Sequence, residues 1–236
     1  MQVNSTVQQM HHTFFSQWPR YFALTSLLFV SIYLYFDSPL IFSALWGIFF
    51  FYFLYQGRLF WKPLGVLGGI ANNITAVRVL GMLLLLTFQP YFHYYAFFVL
   101  GILILIADGL DGYYARKYHT VSEFGDFFDK ETDAFFVLAF CVILIEQGLI
   151  GKWVLLPGLM RYAFVLILYL FNIEHISLGK SFRRQFLGMW FMGTIMACFV
   201  LPTPIYTAGM IFATTMLAYS FMKDIFLMIR QRSHQG

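Results

Sequence analysis

The chain has 236 residues, of which 60% are hydrophobic and only 11% are charged, and its formal net charge is +4. Soluble domains average roughly a quarter charged residues, so this chain has too little charge to cover a water-exposed globule. The composition excludes an ordinary soluble domain and predicts an all-α, polytopic membrane helix bundle. Cys141 and Cys198 lie in apolar runs and indicate neither a disulfide framework nor a thiol site.

Eight apolar segments are predicted to span the membrane, because a spanning helix needs about 20 mostly apolar residues. They lie at about 20–36, 39–56, 73–89, 92–118, 125–148, 152–172, 183–201 and 204–230. The first two are separated only by the letters DSP and could form a tight hairpin. We therefore divide the chain into an N-terminal extension with two helices, residues 1–70, and a main domain, residues 71–236.

The distribution of Lys and Arg predicts the orientation of these spans. An even number of spans places both termini on one side, and the loops and tails on that side hold most of the basic residues. These are Arg20, Arg58, Lys62, Lys117, Lys180, Arg183, Arg184, Lys223, Arg230 and Arg232. The loops on the opposite side hold only Lys152. Both termini, and the acidic stretch described next, are therefore expected to face the cytoplasm.

The stretch DGLDGYYARKYHTVSEFGDFFDKETD, residues 108–133, holds seven of the eleven acidic residues of the chain. One set of its residues is spaced at three and four and shares a helix face, namely Asp108, Asp111, Gly112, Ala115 and Arg116. A second set is spaced at four, namely Gly125, Asp129 and Asp133. A short polar loop joins the two helices, which predicts antiparallel packing with the two pairs of aspartates facing each other.

Four facing carboxylates in a membrane protein indicate a cation site. Carboxylates at close range repel one another, and Mg²⁺, Mn²⁺ and Ca²⁺ prefer such oxygen ligands. Gly112 and Ala115 leave a hollow beside the acids, Gly125 allows close helix approach, and Arg116 can fork onto a phosphate. A salt-bridged helix cap is the structural alternative, but intramembrane charges usually mark function.

The acidic stretch resembles the signature of the CDP-alcohol phosphotransferases, Asp-x2-Asp-Gly-x2-Ala-Arg-x8-Gly-x3-Asp-x3-Asp, and every fixed position matches. Upstream, NNITAVR resembles the Asn-x-x-Thr-x-x-Arg that opens the first core helix of the family, at Asn72, Thr75 and Arg78, although Ala71 replaces the usual preceding proline. The resemblance covers about residues 70–230 and implies a six-helix core, with the N-terminal hairpin outside it.

The resemblance implies a transferase of phospholipid synthesis. It would move a phosphatidyl group from a CDP-linked donor, CDP-diacylglycerol, to the hydroxyl of a small alcohol, phosphorylated or not, and release CMP. It implies two divalent ions, Mg²⁺ or Mn²⁺, held by Asp108, Asp111, Asp129 and Asp133, with Asp133 also acting as general base. It further implies a homodimer in a bacterial inner membrane or an equivalent membrane, with lipids and no nucleic acid as partners.

The resemblance also assigns two substrate sites. The CDP-donor site would consist of Asn72, Thr75, Gly112, Ala115, Arg116 and Gly125. The acceptor site would consist of the downstream basic residues Arg161, Lys180, Arg183 and Arg184. Arg183 and Arg184 could instead be ordinary cytoplasmic anchors, and Arg161 could be a structural ion-pair partner. Asp126 and Glu131 lie off the signature, and we expect solvated or supporting roles for them rather than ligation.

Several alternatives stay open. Family members that use glycerol 3-phosphate often continue the third and fourth aspartates as Asp-Pro-x-x-Asp-Lys, whereas residues 129–134 read DKETDA. This departure counts against glycerol 3-phosphate as the acceptor without excluding it, and serine, inositol phosphate and other small alcohols stay open. Transfer from CDP-choline or CDP-ethanolamine to a lipid alcohol is a second possibility. A cation transporter is the rival from another class, but the run AFFVLAFCVILI after Asp133 offers it no polar path.

Overall fold

The computed structural model describes residues 2–118, 120–171 and 182–233. Within these ranges the chain forms α-helices joined by short turns, and no strand occurs. The helices are α1 (Gln2–Phe36), α2 (Pro39–Gln56), α3 (Arg58–Trp61), α4 (Ile70–Thr87), α5 (Tyr94–Lys117), α6 (Glu123–Glu146), α7 (Leu155–Leu170), α8 (Phe182–Ala197) and α9 (Thr203–Ser233). The prediction of an all-α polytopic bundle is confirmed.

The eight predicted spans correspond to the eight long helices, and the largest boundary error is at α1. We predicted that the first helix begins near residue 20, but α1 begins at Gln2 and continues through Pro19. The prediction was based on hydropathy, and the residues near the N-terminus are too polar to be counted as part of a membrane span. Polar residues do not prevent a helix, however. Within α1, the stretch Thr13–Phe36 is long and apolar enough to cross a membrane.

Six of the helices in the described ranges are long and apolar enough to cross a membrane. The two remaining predicted spans are α6 and α8. Helix α8 has only 16 described residues. Helix α6 has 24 residues but carries the carboxylates of residues 123–133 along its first half. At about 1.5 Å per residue, a helix of this length still matches the thickness of the hydrocarbon layer.

Helix α6 is the central helix of the bundle. From Ala134 to Leu144 nearly every side chain is buried against other helices, and α6 contacts α2, α4, α7 and α8. Its first turn is capped by Ser122, whose Oγ accepts a hydrogen bond from the backbone N–H of Gly125 at 3.0 Å. The apolar half of α6 thus fixes the helix in the core, and this positions the acidic half at one end of the bundle.

The N-terminal hairpin packs directly on the other helices. Its turn forms at Asp37, which adopts a positive φ of 50°, and at Ser38, whose Oγ caps α2 ahead of Pro39. Helix α1 packs against α7, and α2 packs against α4. At the far end of α6, the hydroxyl of Tyr33 donates a hydrogen bond to Glu146 at 2.6 Å. The extension is therefore joined to the core by packing along its length and by a polar contact at this end.

Candidate active site

The four signature aspartates surround one guanidinium group, that of Arg78 on α4. Its Nη1 lies 2.9 Å from Asp111 and 2.8 Å from Asp129, and its Nη2 lies 2.7 Å from Asp108 and 2.6 Å from Asp133. The arginine side chain is only 1% exposed. Three helices, α4, α5 and α6, therefore meet at a single buried cation, and the predicted facing of the two aspartate pairs is present.

Arg78 is the functional residue that the sequence interpretation left without a role. It is the last residue of the NNITAVR segment, and Thr75 lies one helical turn before it. The hydroxyl of Thr75 donates a hydrogen bond to Oδ2 of Asp111 at 3.0 Å, so both motif side chains hold the same carboxylate. The motif carried the signal that could have identified Arg78, because a polar residue at every third position of an apolar helix indicates a polar face.

The charge of this cluster suits divalent cations. One guanidinium against four carboxylates leaves a formal charge of −3 when all the carboxylates are ionised. Carboxylate oxygens of Asp108, Asp111 and Asp129 lie within 4.8 Å of one another. Asp133 is outside this group of three and joins the cluster through Arg78. Clustered carboxylates with excess negative charge are the donor set that Mg²⁺ and Mn²⁺ prefer, so these residues fit the implied ions.

A cavity of about 290 Å³ adjoins the cluster and brings together every residue predicted to bind the CDP donor. Its lining includes Asn72, Thr75, Gly112, Ala115, Arg116 and Gly125. The glycines keep this space open: a Cβ on Gly112 would lie 3.4 Å from Nη1 of Arg116. Asn72 is oriented by a hydrogen bond from its Nδ2 to the carbonyl of Leu67 at 2.8 Å.

Gly125 provides a test of this cavity. A Cβ on Gly125 would lie 2.7 Å from Oδ1 of Asn72, so Gly125→Ala must displace the Asn72 side chain. We expect the KM of the CDP donor to rise about tenfold, the loss of roughly one good hydrogen bond. The matched control is Gly193→Ala on α8, where a Cβ would meet nothing within 4 Å. Steady-state kinetics at varied donor concentration checks this, and an unchanged donor KM in Gly125→Ala would contradict it.

A second cavity, of about 580 Å³, also borders the cluster. Asp108, Asp129 and Asp133 line it together with four basic residues, Arg116, Lys130, Arg161 and Arg184. The two cavities share four lining residues, Asp111, Gly112, Arg116 and Asp129. They therefore meet at the carboxylates, so that molecules in the two cavities would approach each other there.

The four residues predicted to bind the acceptor have different positions. Arg161 lines the larger cavity and also forms an ion pair with Glu131. Arg184 also lines this cavity, and its Nη1 lies 3.7 Å from Oδ1 of Asp224. Arg183 is not part of the lining, and its guanidinium donates hydrogen bonds to Asp224 and to the carbonyl of Ser220. Lys180 lies outside the described residues.

Asp126 and Glu131, two of the acidic residues off the signature, also differ. Asp126 is exposed and pairs with Lys130 one turn along α6, which is a solvated surface contact. Glu131 is buried, with 1% of its side chain exposed, and it accepts a hydrogen bond from Nη2 of Arg161. Neither residue contacts Arg78 within the described part of the chain, so the cluster consists of the four signature aspartates.

Comparison with known proteins gives two matches of different extent. The family model described as CDP-alcohol phosphatidyltransferase matches residues 69–231. A CDP-diacylglycerol–glycerol-3-phosphate 3-phosphatidyltransferase of Bacillus subtilis (strain 168) is 38% identical over 63 residues. That alignment spans 27% of this chain and 33% of the relative. No solved structure matches the chain significantly.

Proposed function

Because this chain belongs to the CDP-alcohol phosphatidyltransferase family, we propose that it transfers the phosphatidyl group of CDP-diacylglycerol to the hydroxyl of a small phosphorylated alcohol and releases CMP. The observation that carries this proposal is that carboxylates of the cluster line two adjoining cavities. The smaller cavity is lined by the residues predicted to bind the CDP donor, and the lining of the larger one includes Arg161 and Arg184. A reaction between two substrates needs such an arrangement, because positioning supplies part of the rate.

On the donor side, Arg116 would bind the diphosphate through its planar set of N–H donors. The first three signature aspartates, with Asp133, would hold two ions of Mg²⁺ or Mn²⁺. Such ions, when bound, offset the charge of the diphosphate and make CMP a better leaving group. Arg78 would keep the carboxylates assembled, since it contacts all four from the interior of the bundle.

An apolar groove between α4 and α5 supports a lipid as the donor. It has a volume of about 450 Å³ and is lined by apolar side chains such as Leu84, Phe92 and Leu103, with Arg78 as its charged residue. A groove of this kind suits acyl chains, because its apolar side chains make dispersion contacts with them and leave no polar group unsatisfied. Its contact with Arg78 would bring the lipid phosphate to the cluster. The groove supports a lipid substrate, and the basic residues of the larger cavity, which suit a small anionic acceptor, favour CDP-diacylglycerol as that lipid over the lipid acceptor of the CDP-choline or CDP-ethanolamine reaction.

Asp133 is our candidate for the general base. It lines the larger cavity, where its side chain is about a third exposed. There it would remove the proton from the acceptor hydroxyl, because an alcohol is a poor nucleophile until a base takes that proton. The acceptor oxygen would then form a bond to the phosphatidyl phosphorus. The bond from that phosphorus to the CMP oxygen breaks, and CMP leaves with the bonding electrons.

The proposed acceptor carries a phosphate because the larger cavity holds basic residues beside the carboxylates. An anionic acceptor near four carboxylates would be repelled without cations, and Arg161 and Arg184 supply them. The name of the Bacillus subtilis relative gives glycerol 3-phosphate as its acceptor, so this compound is the first candidate here. Inositol phosphate and the uncharged or zwitterionic alcohols, such as serine, remain alternatives.

An acceptor screen tests the proposal directly. Purified protein in lipid vesicles receives CDP-diacylglycerol, Mg²⁺ and one acceptor at a time, and CMP and the lipid formed are measured. We expect glycerol 3-phosphate or another phosphorylated alcohol to give the highest rate. CDP-choline with diacylglycerol serves as the comparison pair. Faster transfer with that pair, or with serine, would contradict the proposed substrates.

The rival proposal of a cation transporter has little support. Beyond Asp133, α6 continues with buried apolar side chains from Ala134 to Leu144, and a transport path would need polar groups on that side. Thermal unfolding with added CMP separates the two classes. A phosphatidyltransferase should be stabilised by CMP because the nucleotide occupies the donor cavity, whereas a transporter has no use for it.

We further propose that the site and both termini face the cytoplasm of a bacterial or equivalent membrane. The excess of basic residues on that side supports the orientation. A cysteine introduced at Gly151 should react with an impermeant maleimide only from the opposite side, and labelling from the cytoplasmic side would contradict the orientation. The homodimer and the division at residue 70 also stay predictions.

A further inference from the structure

Glu131 of α6 has no part in the proposed chemistry, yet it forms an ion pair with Arg161 of α7, and the two partners are buried to different extents. Glu131 is 1% exposed, whereas the side chain of Arg161 is 33% exposed. Arg161 lines the larger cavity, and Glu131 does not. Part of the arginine side chain is therefore accessible from the cavity, while its counter-ion is enclosed by protein.

Stability alone does not explain this pair. Desolvation offsets most of the attraction in a buried ion pair, and apolar replacements of similar volume are often neutral or stabilising. Within the described residues, Oε2 of Glu131 and Nε of Arg161 have no hydrogen-bond partner. The pair is thus incompletely satisfied, and a purely structural pair would gain from a fuller network. Charged groups at membrane depth more often serve function.

The carboxylate cluster would compete with Glu131 for Arg161. Asp108, Asp129 and Asp133 line the same cavity as Arg161, and Arg78 supplies a single positive charge against all four aspartates. A flexible arginine in that cavity would be attracted to these acids unless a nearer partner held it. Glu131 is that partner, and it lies about 200° around α6 from both Asp129 and Asp133.

We propose that Glu131 is a positioning residue, which holds the guanidinium of Arg161 at the acceptor side of the cavity and keeps it away from the carboxylate cluster. This inference rests on the proposed function, because it assumes an anionic acceptor. The bond to Glu131 uses one of the five donors of the guanidinium and leaves others for the acceptor phosphate. Helix α6 then fixes the acceptor relative to the proposed base, since it carries both Glu131 and Asp133.

The variant Glu131→Gln separates positioning from a structural role. We expect the acceptor KM to rise about tenfold, as for the loss of a charged hydrogen bond, with the donor KM unchanged. The released Arg161 would also occupy the carboxylates, so a higher Mg²⁺ concentration should be needed to stabilise the protein against thermal unfolding. The matched control is Glu146→Gln at the far end of the same helix, where Glu146 bonds Tyr33. It should keep wild-type values for all three measurements.

An unchanged acceptor KM in Glu131→Gln, or equal rises of the donor and acceptor KM, would overturn the proposal. If Glu131→Gln does not fold, Glu131→Asp decides, because its carboxylate is one methylene short of Arg161. A raised acceptor KM is then expected, and a wild-type value would overturn the proposal, as would failure of both variants to fold. Absence of transfer by the wild-type protein would instead refute the proposed function, so the two failures are distinguishable.

Discussion

Replacing Asp108 or Asp129 by asparagine is expected to abolish phosphatidyl transfer while the protein still folds. Each substitution removes one negative charge with little change in volume, and both residues belong to the group of carboxylates within 4.8 Å of one another. The loss should exceed about a hundredfold in kcat/KM, or roughly 2.7 kcal/mol of transition-state stabilisation. CMP release from CDP-diacylglycerol at saturating Mg²⁺ is the measurement.

The control for these variants is Asp37→Asn, the same substitution at an exposed position that pairs with Lys152 in the loops at the other end of the bundle. It should transfer at the wild-type rate. Mg²⁺ should raise the thermal unfolding temperature less in Asp108→Asn than in the control. If either cluster variant kept more than about a tenth of the activity, a loss below 1.4 kcal/mol, the ligand assignment would be wrong.

Replacing Arg78 should have the largest effect on stability. Removing one partner of a buried ion pair typically costs about 3–5 kcal/mol, and Arg78→Gln leaves four carboxylates without their internal cation. Arg78→Lys keeps the charge but not the two Nη groups that divide the four contacts. We therefore expect its unfolding temperature to lie between those of the wild type and Arg78→Gln. Thermal unfolding in detergent checks this order, with the exposed Arg58→Gln as control.

Divalent ions should partly rescue Arg78→Gln. Its cluster has a formal charge of −4 in place of −3, so added Mg²⁺ should raise its unfolding temperature by more than in the wild type. If Arg78→Gln unfolded at the same temperature as the wild type when both lack Mg²⁺, this would show that Arg78 does not hold the carboxylates together. A smaller response to Mg²⁺ than in the wild type would contradict the interpretation of the cluster as a cation site.

The sequence was sufficient to predict the cluster because its geometry is mostly local. Spacings of three and four place Asp108 with Asp111 and Asp129 with Asp133, and a short loop brings the two helices together. Most of the long helices were predictable for a similar reason, since six of those in the described ranges are apolar over a length that spans a membrane. The start of α1 was not predictable, because hydropathy indicates which part of a chain can lie in lipid and not where its helix begins.

Contacts between helices distant in sequence were not predictable. The motif placed Arg78 on α4, but only packing shows that this face of α4 meets α5 and α6 at all four carboxylates. The pairing of Glu131 with Arg161 depends in the same way on α7 lying against the reverse face of α6. Local periodicity describes one helix at a time, whereas burial and ion pairing depend on how neighbouring helices are rotated and aligned.

The most direct test of the central claim follows the phosphorus atom. CDP-diacylglycerol labelled at the phosphorus nearest the glycerol is incubated with the protein, Mg²⁺ and glycerol 3-phosphate. The account predicts that all the transferred label appears in a new lipid, with one unlabelled CMP released per lipid, and that omission of the acceptor or chelation of the metal stops both. Release of CMP at the same rate without an acceptor, with the label in phosphatidic acid, would show hydrolysis and contradict the account.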